Sequence, residues 1–255
     1  MKTITTRKSL TTYVVRHADD NVILSQRLCE YISRAPDLEE DLAIANFALD
    51  HIGVAQHLFT YAAEVEGGEA DADALAMTRS EREFTNVLLV EQPHDDFADL
   101  MVRQFLFDAY QVPLWSALSG STDSTIAGIA QRAGREATYH LRHSSGWVGR
   151  LGDGTAESHD RMQAAVDRMW RYTDELFGAD EIDVEMARAG LGVDPSTLKP
   201  QWQMSVDSVL EEATLARPAD PFQTGGGRSG IHTEYLGGLL AEMQWVQRAY
   251  PGLTW

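Results

Sequence analysis

The chain has 255 residues, 44% of them hydrophobic, so it can bury a substantial core and a folded globular protein is expected. Its 39 acidic and 21 basic residues give a formal net charge of −18, which repels polyphosphates and argues against nucleic acid as a partner. The single cysteine, Cys29, excludes an internal disulfide framework and fits a reducing compartment.

Apolar residues recur at helical spacing almost from end to end, whereas no run alternates β-branched and polar residues, so an all-α fold is predicted. The first helix is predicted over residues 18–34, ending before Pro36. The second is predicted to start at Asp37, followed by acids that favour a helix N-terminus. One face of the second helix carries Ala45, Ala48, Ile52, Ala55 and Phe59. Its alanines permit close approach of a neighbouring helix.

Farther along, a polar connection at residues 67–78 is predicted to precede a short helix that ends near Leu89 and is capped by Thr78 or Ser80. Further helices are predicted over about residues 95–118, 124–151, 156–177, 200–216 and 232–249. Trp202 and Trp255 lie outside the main apolar stripes. Because exposed aromatic side chains are frequent at interfaces, these two tryptophans suggest a protein partner.

Membrane and export signals are weak in the sequence. It has no stretch of about 18 uninterrupted apolar residues, and residues 1–20 contain basic side chains without the apolar segment of a signal peptide. We therefore expect a cytoplasmic protein with no membrane partner. We also expect one ferritin-like helical domain over residues 1–255, with a core bundle over about 17–178 and a C-terminal helical extension over about 179–255.

A ferritin-like bundle raises the hypothesis of a di-iron centre. Such centres take a lone Glu from two helices and Glu-x-x-His from two others, because a spacing of three aims both side chains at one point. Of the eight histidines, only His94 has an acid, Glu91, three residues before it, and Pro93 lies between them. The two expected motifs are therefore absent.

Four polar residues remain as candidates for a reduced metal site: Asp50, Asp108, Glu136 and His140. Asp108 interrupts the apolar face of the helix at 95–118, where an acid without a partner is costly. Glu136 and His140 share one face of the following helix. The four residues could together hold a single ion. In the alternative interpretation they form buried salt bridges and hydrogen bonds, and the chain has no catalytic, cofactor or metal site.

The sequence has no Walker loop and no GxSxG or HExxH motif, and its one match to GxGxxG, at residues 225–230, is a weak signal because no predicted strand precedes it. The glycine loop at residues 225–230, GGGRSG, lacks the lysine of a phosphate-binding loop. Its backbone N–H groups and Arg228 could still meet a phosphate. A phosphate-binding loop and a merely flexible connection both remain open.

Five long segments, in the same order along the chain, are similar to the C subunits of bacterial phenylacetyl-CoA 1,2-epoxidase complexes, also called phenylacetate-CoA oxygenases. The resemblance extends over nearly the whole length. The segments are ILSQRLCEYISRAPDLEEDLAIANFALDHIG (23–53), FTNVLLVEQPHDDFADLMVRQFLFDAY (84–110), REATYHLRHSSGWVGRLGDGT (135–155), MWRYTDELFGADEID (169–183) and GIHTEYLGGLLAEMQWVQR (230–248).

The resemblance implies a ferritin-like, non-catalytic structural subunit that binds no cofactor itself. In that family, a homologous A subunit holds the di-iron centre and binds the CoA thioester. A reductase with FAD and an iron-sulfur centre delivers electrons from NADPH, and O2 is consumed to form the ring-1,2-epoxide. A small accessory subunit assists assembly, and self-association within the hetero-oligomer is expected.

The first three helices, with their alanine stripe, are predicted to form much of the contact with the A subunit. Two alternatives to the structural role stay open. One is an autonomous ferritin-like metalloenzyme that uses the reduced metal site. The other is a CoA-binding accessory module in which Arg228 and the glycine loop meet the phosphates.

Overall fold

The computed structural model describes residues 2–67, 71–219 and 222–253. These residues form ten α-helices and no strand, which confirms the predicted all-α fold class. The helices are α1 (Lys2–Cys29), α2 (Leu38–Glu66), α3 (Ala72–Met77), α4 (Phe97–Leu118), α5 (Ser124–Gly152), α6 (Ala156–Met169), α7 (Glu181–Arg188), α8 (Lys199–Glu212), α9 (Glu234–Met243) and α10 (Trp245–Ala249). Among them, none is long and apolar enough to span a membrane.

The chain divides into two compact units. The first unit comprises Met1–Glu91 and Gly225–Trp255, and the second comprises Gln92–Thr224. The first unit is therefore built from both ends of the chain, whereas the second is continuous. The predicted partition into a core bundle at 17–178 and an extension at 179–255 stays a prediction.

In the first unit, α1 packs along α2. The Asp37 side chain accepts a hydrogen bond from the Glu40 N–H and so caps α2 where the sequence predicted its start. Ala48 and Ala55 are buried, and the Ser25 hydroxyl donates to the Ala48 carbonyl at 2.8 Å. The alanines thus permit close helix packing within the chain itself.

In the second unit, α4 and α5 form the main helix pair. Each begins after an aspartate whose side chain accepts backbone N–H groups of the first turn, Asp96 for α4 and Asp123 for α5. At the other end of α5, a Cβ on Gly152 would lie 2.6 Å from the Ala213 carbonyl oxygen. Glycine therefore lets α5 approach the end of α8.

Several predicted boundaries are wrong. The first helix begins at Lys2 and ends at Cys29, instead of covering 18–34, because tertiary burial of Tyr13 and Val14 outweighs the weak helix propensity of its threonine-rich start. Within the predicted polar connection, Ala72–Met77 forms α3, capped by Asp71. Residues 68–70 of that connection lie outside the described residues, as does Trp255.

The short helix predicted to reach Leu89 is replaced by two 3₁₀ turns, Glu81–Glu83 and Leu88–Glu91. Between these turns, the backbone N–H groups of Thr85 and Val87 donate to carboxylates of α1, each at 2.8 Å, so they do not enter a helical ladder. Trp202, predicted to be exposed, is only 2% exposed, and its indole N–H donates to the Leu106 carbonyl at 2.9 Å.

Candidate functional site

The second unit contains a buried acid on α4, Asp108, which is fully inaccessible to solvent. The Gln104 side-chain amide donates to one of its oxygens at 2.7 Å, and the Ser144 hydroxyl from α5 donates to the other at 2.8 Å. A ring nitrogen of buried His140 lies within 4.8 Å of the carboxylate. The structure thus brings together two of the predicted candidates, Asp108 and His140.

Burial dominates the chemistry of Asp108. Loss of solvation raises its pKa to about 7, although the nearby His140 and the hydrogen bonds from Ser144 and Gln104 act in the opposite direction. The carboxyl group can therefore gain or lose a proton near neutral pH. Protonation and deprotonation of Asp108 are thus the chemistry available at the contact between α4 and α5.

The other two candidates are Glu136 and Asp50. Glu136, on α5, accepts a hydrogen bond at 3.1 Å from the guanidinium of Arg132, one turn earlier on the same helix. Both side chains of that ion pair are partly exposed. Asp50 is a half-buried residue of α2 in the first unit. Among the described residues of the second unit, the predicted metal site therefore consists of the Asp108 carboxylate and the His140 imidazole.

The single Glu-x-x-His match, Glu91 to His94, does not have the helical geometry of an iron-binding motif. Glu91 ends a 3₁₀ turn, and α4 begins only at Phe97. His94 has its own partner, because its Nδ1 lies 3.0 Å from an Arg103 guanidinium nitrogen. The required pair of side chains aimed from successive helical turns is not formed here.

Glu91 instead organises a buried polar cluster in the first unit. Its Oε1 accepts from the Thr233 N–H at 2.7 Å and the Thr233 hydroxyl at 2.8 Å. Its Oε2 accepts from the Asn86 amide at 2.8 Å and lies 2.8 Å from Nδ1 of His232. Since the other ring nitrogen of His232 must donate to the Phe84 carbonyl, one proton bridges the imidazole and the carboxylate.

A second buried cluster holds the glycine loop against α1. Arg228 donates to both oxygens of Asp20, at 3.0 and 2.7 Å, and to the Arg16 and Thr85 carbonyls. Burial raises the pKa of Asp20 to about 6, although the Arg228 charge and its hydrogen bonds oppose the shift. A Cβ on Gly230 would lie 2.4 Å from the Arg82 carbonyl oxygen, so this glycine serves close backbone packing.

These contacts bear on the phosphate-binding hypothesis for residues 225–230. The Arg228 guanidinium is directed at Asp20 and two backbone carbonyls, and a phosphate would have to compete with a buried carboxylate for it. The geometry therefore supports a structural explanation for the loop arginine and for Gly230.

A profile of the family described as "Phenylacetic acid catabolic protein" matches residues 1–255. The chain belongs to this family. A protein of Escherichia coli (strain K12), named as the C subunit of 1,2-phenylacetyl-CoA epoxidase, is 49% identical over 246 residues, which cover 96% of this chain and 99% of that protein. The resemblance found in the sequence is thereby confirmed, and with it the all-α, ferritin-like fold class and a role in phenylacetic acid catabolism.

A di-iron centre of the ferritin-like kind does not fit the residues of this chain. Such a centre requires two helical Glu-x-x-His motifs, which the sequence does not have. In the single match, the Glu91 carboxylate is already hydrogen-bonded to Asn86, His232 and Thr233. The expected absence of a metal site stays a prediction, as does the alternative of a single ion at the candidate residues.

Sequence reasoning missed both clusters of the first unit. Asp19 and Asp20 are adjacent acids between the apolar residues Val14 and Val22, and all four are buried. Two successive acids within a predicted helix that also carries apolar residues are a signal that could have been read, because buried carboxylates require cationic or hydrogen-bonding partners. The partners themselves lie far away in sequence: Arg79 contacts Asp19, and Arg228 contacts Asp20.

Replacing Asp108 with asparagine should stabilise the protein at pH 8 and leave its stability nearly unchanged at pH 4. The folded-state pKa of Asp108 is raised, so the unfolded chain ionises first, and folding loses stability as pH rises from about 4 through about 7. Asparagine keeps an acceptor for Gln104 and removes this loss. Because a tenfold change in proton affinity is worth about 1.4 kcal/mol, the gain at pH 8 is about 2–4 kcal/mol.

Urea unfolding of the Asp108→Asn variant across this pH range would measure the effect. Asp207→Asn is the matched control, because Asp207 is about half exposed and pairs with the similarly exposed Arg217. A destabilised Asp108→Asn variant at pH 8 would show that the folded chain needs the carboxylate, as a bound cation would require.

Proposed function

We propose that this chain is the non-catalytic structural subunit of a phenylacetyl-CoA 1,2-epoxidase complex and that it pairs with and stabilises the homologous di-iron A subunit. The observation that carries the proposal is the 49% identity to the C subunit of the E. coli enzyme over nearly the full length of both chains. The iron, FAD, iron-sulfur centre and NADPH site then belong to the A subunit and the reductase, and the complex also contains a small accessory subunit. We place this assembly in the cytoplasm.

The buried polar groups support a structural role. In the first unit, Asp20 and Glu91 are each surrounded by donors that belong to the chain itself. In the second unit, Asp108 lies between a side-chain amide and a hydroxyl. Groups satisfied in this way fix the positions of helices, whereas catalytic acids and metal ligands need an open coordination or hydrogen-bonding position.

The function of the chain is then to present a shaped helical surface. Association with a sister subunit buries apolar area and restrains helices that the catalytic partner does not hold in place by itself. An obligate interface of this kind commonly buries more than about 2,000 Å². No step of the oxidation needs to pass through side chains of this chain.

Co-expression with the A subunit of the same complex tests the proposal. We expect the two chains to co-elute at equal stoichiometry through size exclusion, and the A subunit to become more soluble and more heat-stable. With the reductase and the small subunit added, phenylacetyl-CoA should be epoxidised only when both chains are present. Failure of the A subunit to co-elute with this chain at micromolar concentration would contradict the proposal.

The autonomous metalloenzyme remains the rival, because Asp108 and His140 do lie together. Metal analysis of the chain purified alone separates the two hypotheses. The structural role predicts substoichiometric iron and manganese that do not change in an Asp108→Ala, His140→Ala variant. One tightly held ion per chain, lost in that variant together with oxidation of phenylacetyl-CoA, would favour the rival.

A further inference from the structure

The outward face of α2 carries an apolar stripe that the described chain leaves uncovered. Its side chains are Leu38, Leu42, Leu49 and Ile52, which are 70%, 57%, 66% and 39% exposed, with half-buried Ala45 between them. We call these five residues the α2 stripe. Single exposed leucines are common on protein surfaces, but a contiguous row of them on one helix marks an interaction site.

The spacing of the α2 stripe identifies the kind of surface that fits it. Successive members are separated by four, three, four and three residues, which is the alternation of the a and d positions of a heptad. Such a row keeps facing one partner helix that crosses at about 20°. At 1.5 Å per residue the row is about 21 Å long, or roughly four helical turns. The occupant is therefore a helix with an apolar row of its own.

The fold of the chain does not use the α2 stripe. The residues of α2 that are buried are Ile44, Phe47, Ala48, His51, Val54, Ala55, Leu58, Phe59 and Ala62. None of them belongs to the stripe. The sequence analysis predicted that the first three helices, with their alanine stripe, form much of the contact with the A subunit. The structure buries Ala48 and Ala55 of that stripe within the chain but leaves Ile52 exposed.

Charge narrows the choice of partner helix. Along its whole length α2 carries six acids and no lysine or arginine; the acids are Glu39, Glu40, Asp41, Asp50, Glu64 and Glu66. Two copies of α2 packed against each other would bring like charges together on chains whose net charge is already −18. A helix flanked by lysine and arginine is the complementary occupant.

We propose that the α2 stripe is the docking surface for an amphipathic helix of the partner subunit, one that carries a heptad-spaced apolar row with basic flanks. The identity of that subunit as the catalytic A subunit rests on the function proposed above. The surface itself is inferred from exposure, spacing and charge alone.

A double substitution, Leu42→Glu with Leu49→Glu, tests the surface. Both side chains are exposed, so circular dichroism and thermal unfolding should match those of the parent chain. Affinity for the A subunit, measured by interferometry with the immobilised A subunit, should fall at least about 100-fold, because two charges would be buried against apolar side chains. Parental binding should also weaken as salt is raised.

The matched control is Met204→Glu with Phe222→Glu, which makes the same chemical change at side chains that are 71% and 76% exposed on the second unit. It should bind like the parent. Parental affinity in the stripe variant would exclude the stripe while leaving the structural role intact, whereas a parent chain that does not bind the A subunit would remove the structural role. If the parent chain dimerises alone and the stripe variant is monomeric, the α2 stripe contacts a second copy of this chain. That result would overturn its assignment to a different subunit.

Discussion

Replacing Arg228 with alanine should lower the free energy of unfolding of the first unit by about 3–5 kcal/mol, because it leaves the buried carboxylate of Asp20 without its cation. The substitution also removes donors from the Arg16 and Thr85 carbonyls. The loss should be larger at pH 8 than at pH 5. Without Arg228 the pKa of Asp20 rises above its present value of about 6, so at pH 5 the acid is neutral and its burial costs little.

Hydrogen exchange resolves which unit loses protection. Amides of α1 and α9 should exchange faster in Arg228→Ala, while those of α4 and α5 keep the parental rates. Arg217→Ala is the control, because that arginine forms an ion pair with Asp207 in which both side chains are about half exposed. The double variant Asp20→Ala, Arg228→Met should lose less free energy of unfolding than either Asp20→Ala or Arg228→Met alone. A double variant whose cost equals the sum of the two single costs would contradict the coupling.

Replacing Glu91 with alanine should cost the first unit about 3–5 kcal/mol as well, since a buried group that serves several donors disappears at once. The amide of Asn86, the imidazole of His232 and the N–H of Thr233 would all lose an acceptor in a region closed to water. Glutamine at this position keeps the shape of the side chain, but its NH2 group replaces one acceptor oxygen and faces hydrogen-bond donors. We therefore expect Glu91→Gln to cost less than alanine and still to be destabilising.

Denaturant unfolding of the two Glu91 variants measures these costs. Glu157→Ala serves as the control, because Glu157 forms an exposed ion pair with Arg161 on one turn of α6 and should leave the midpoint unchanged. Proton magnetic resonance of labelled His232 adds a direct readout, because the bridging proton should give a downfield signal that vanishes in Glu91→Ala. A Glu91→Ala variant as stable as its parent would contradict the cluster described above.

Local sequence chemistry predicted some elements well. The starts of α2, α4 and α5 follow from Asp37, Asp96 and Asp123, each of which caps the helix after it, and a cap depends only on residues within one turn. The acid at Asp108 was also visible, as a charge on an apolar face. The sequence also marked His140 as a candidate, but it did not indicate the partners Gln104 and Ser144.

What the sequence could not predict depends on contacts between distant residues. The early start of α1 and the burial of Trp202 are set by tertiary packing, which overrides propensity and local pattern. The pairing of Asp20 with Arg228 joins residues 208 positions apart. No periodicity reports such a pair, and a glycine-rich segment with one arginine equally suggests a phosphate loop.

The composition of the first unit from both ends of the chain has a consequence for biosynthesis. At about 5–20 residues per second, roughly 10–40 s separate the emergence of Asp20 from that of Arg228. The second unit is continuous and leaves the ribosome entirely within this interval. During this interval Asp20 of α1 lacks the cationic partner Arg228, although later parts of the polypeptide can already fold. Nascent chains truncated before residue 225 should therefore depend on chaperones.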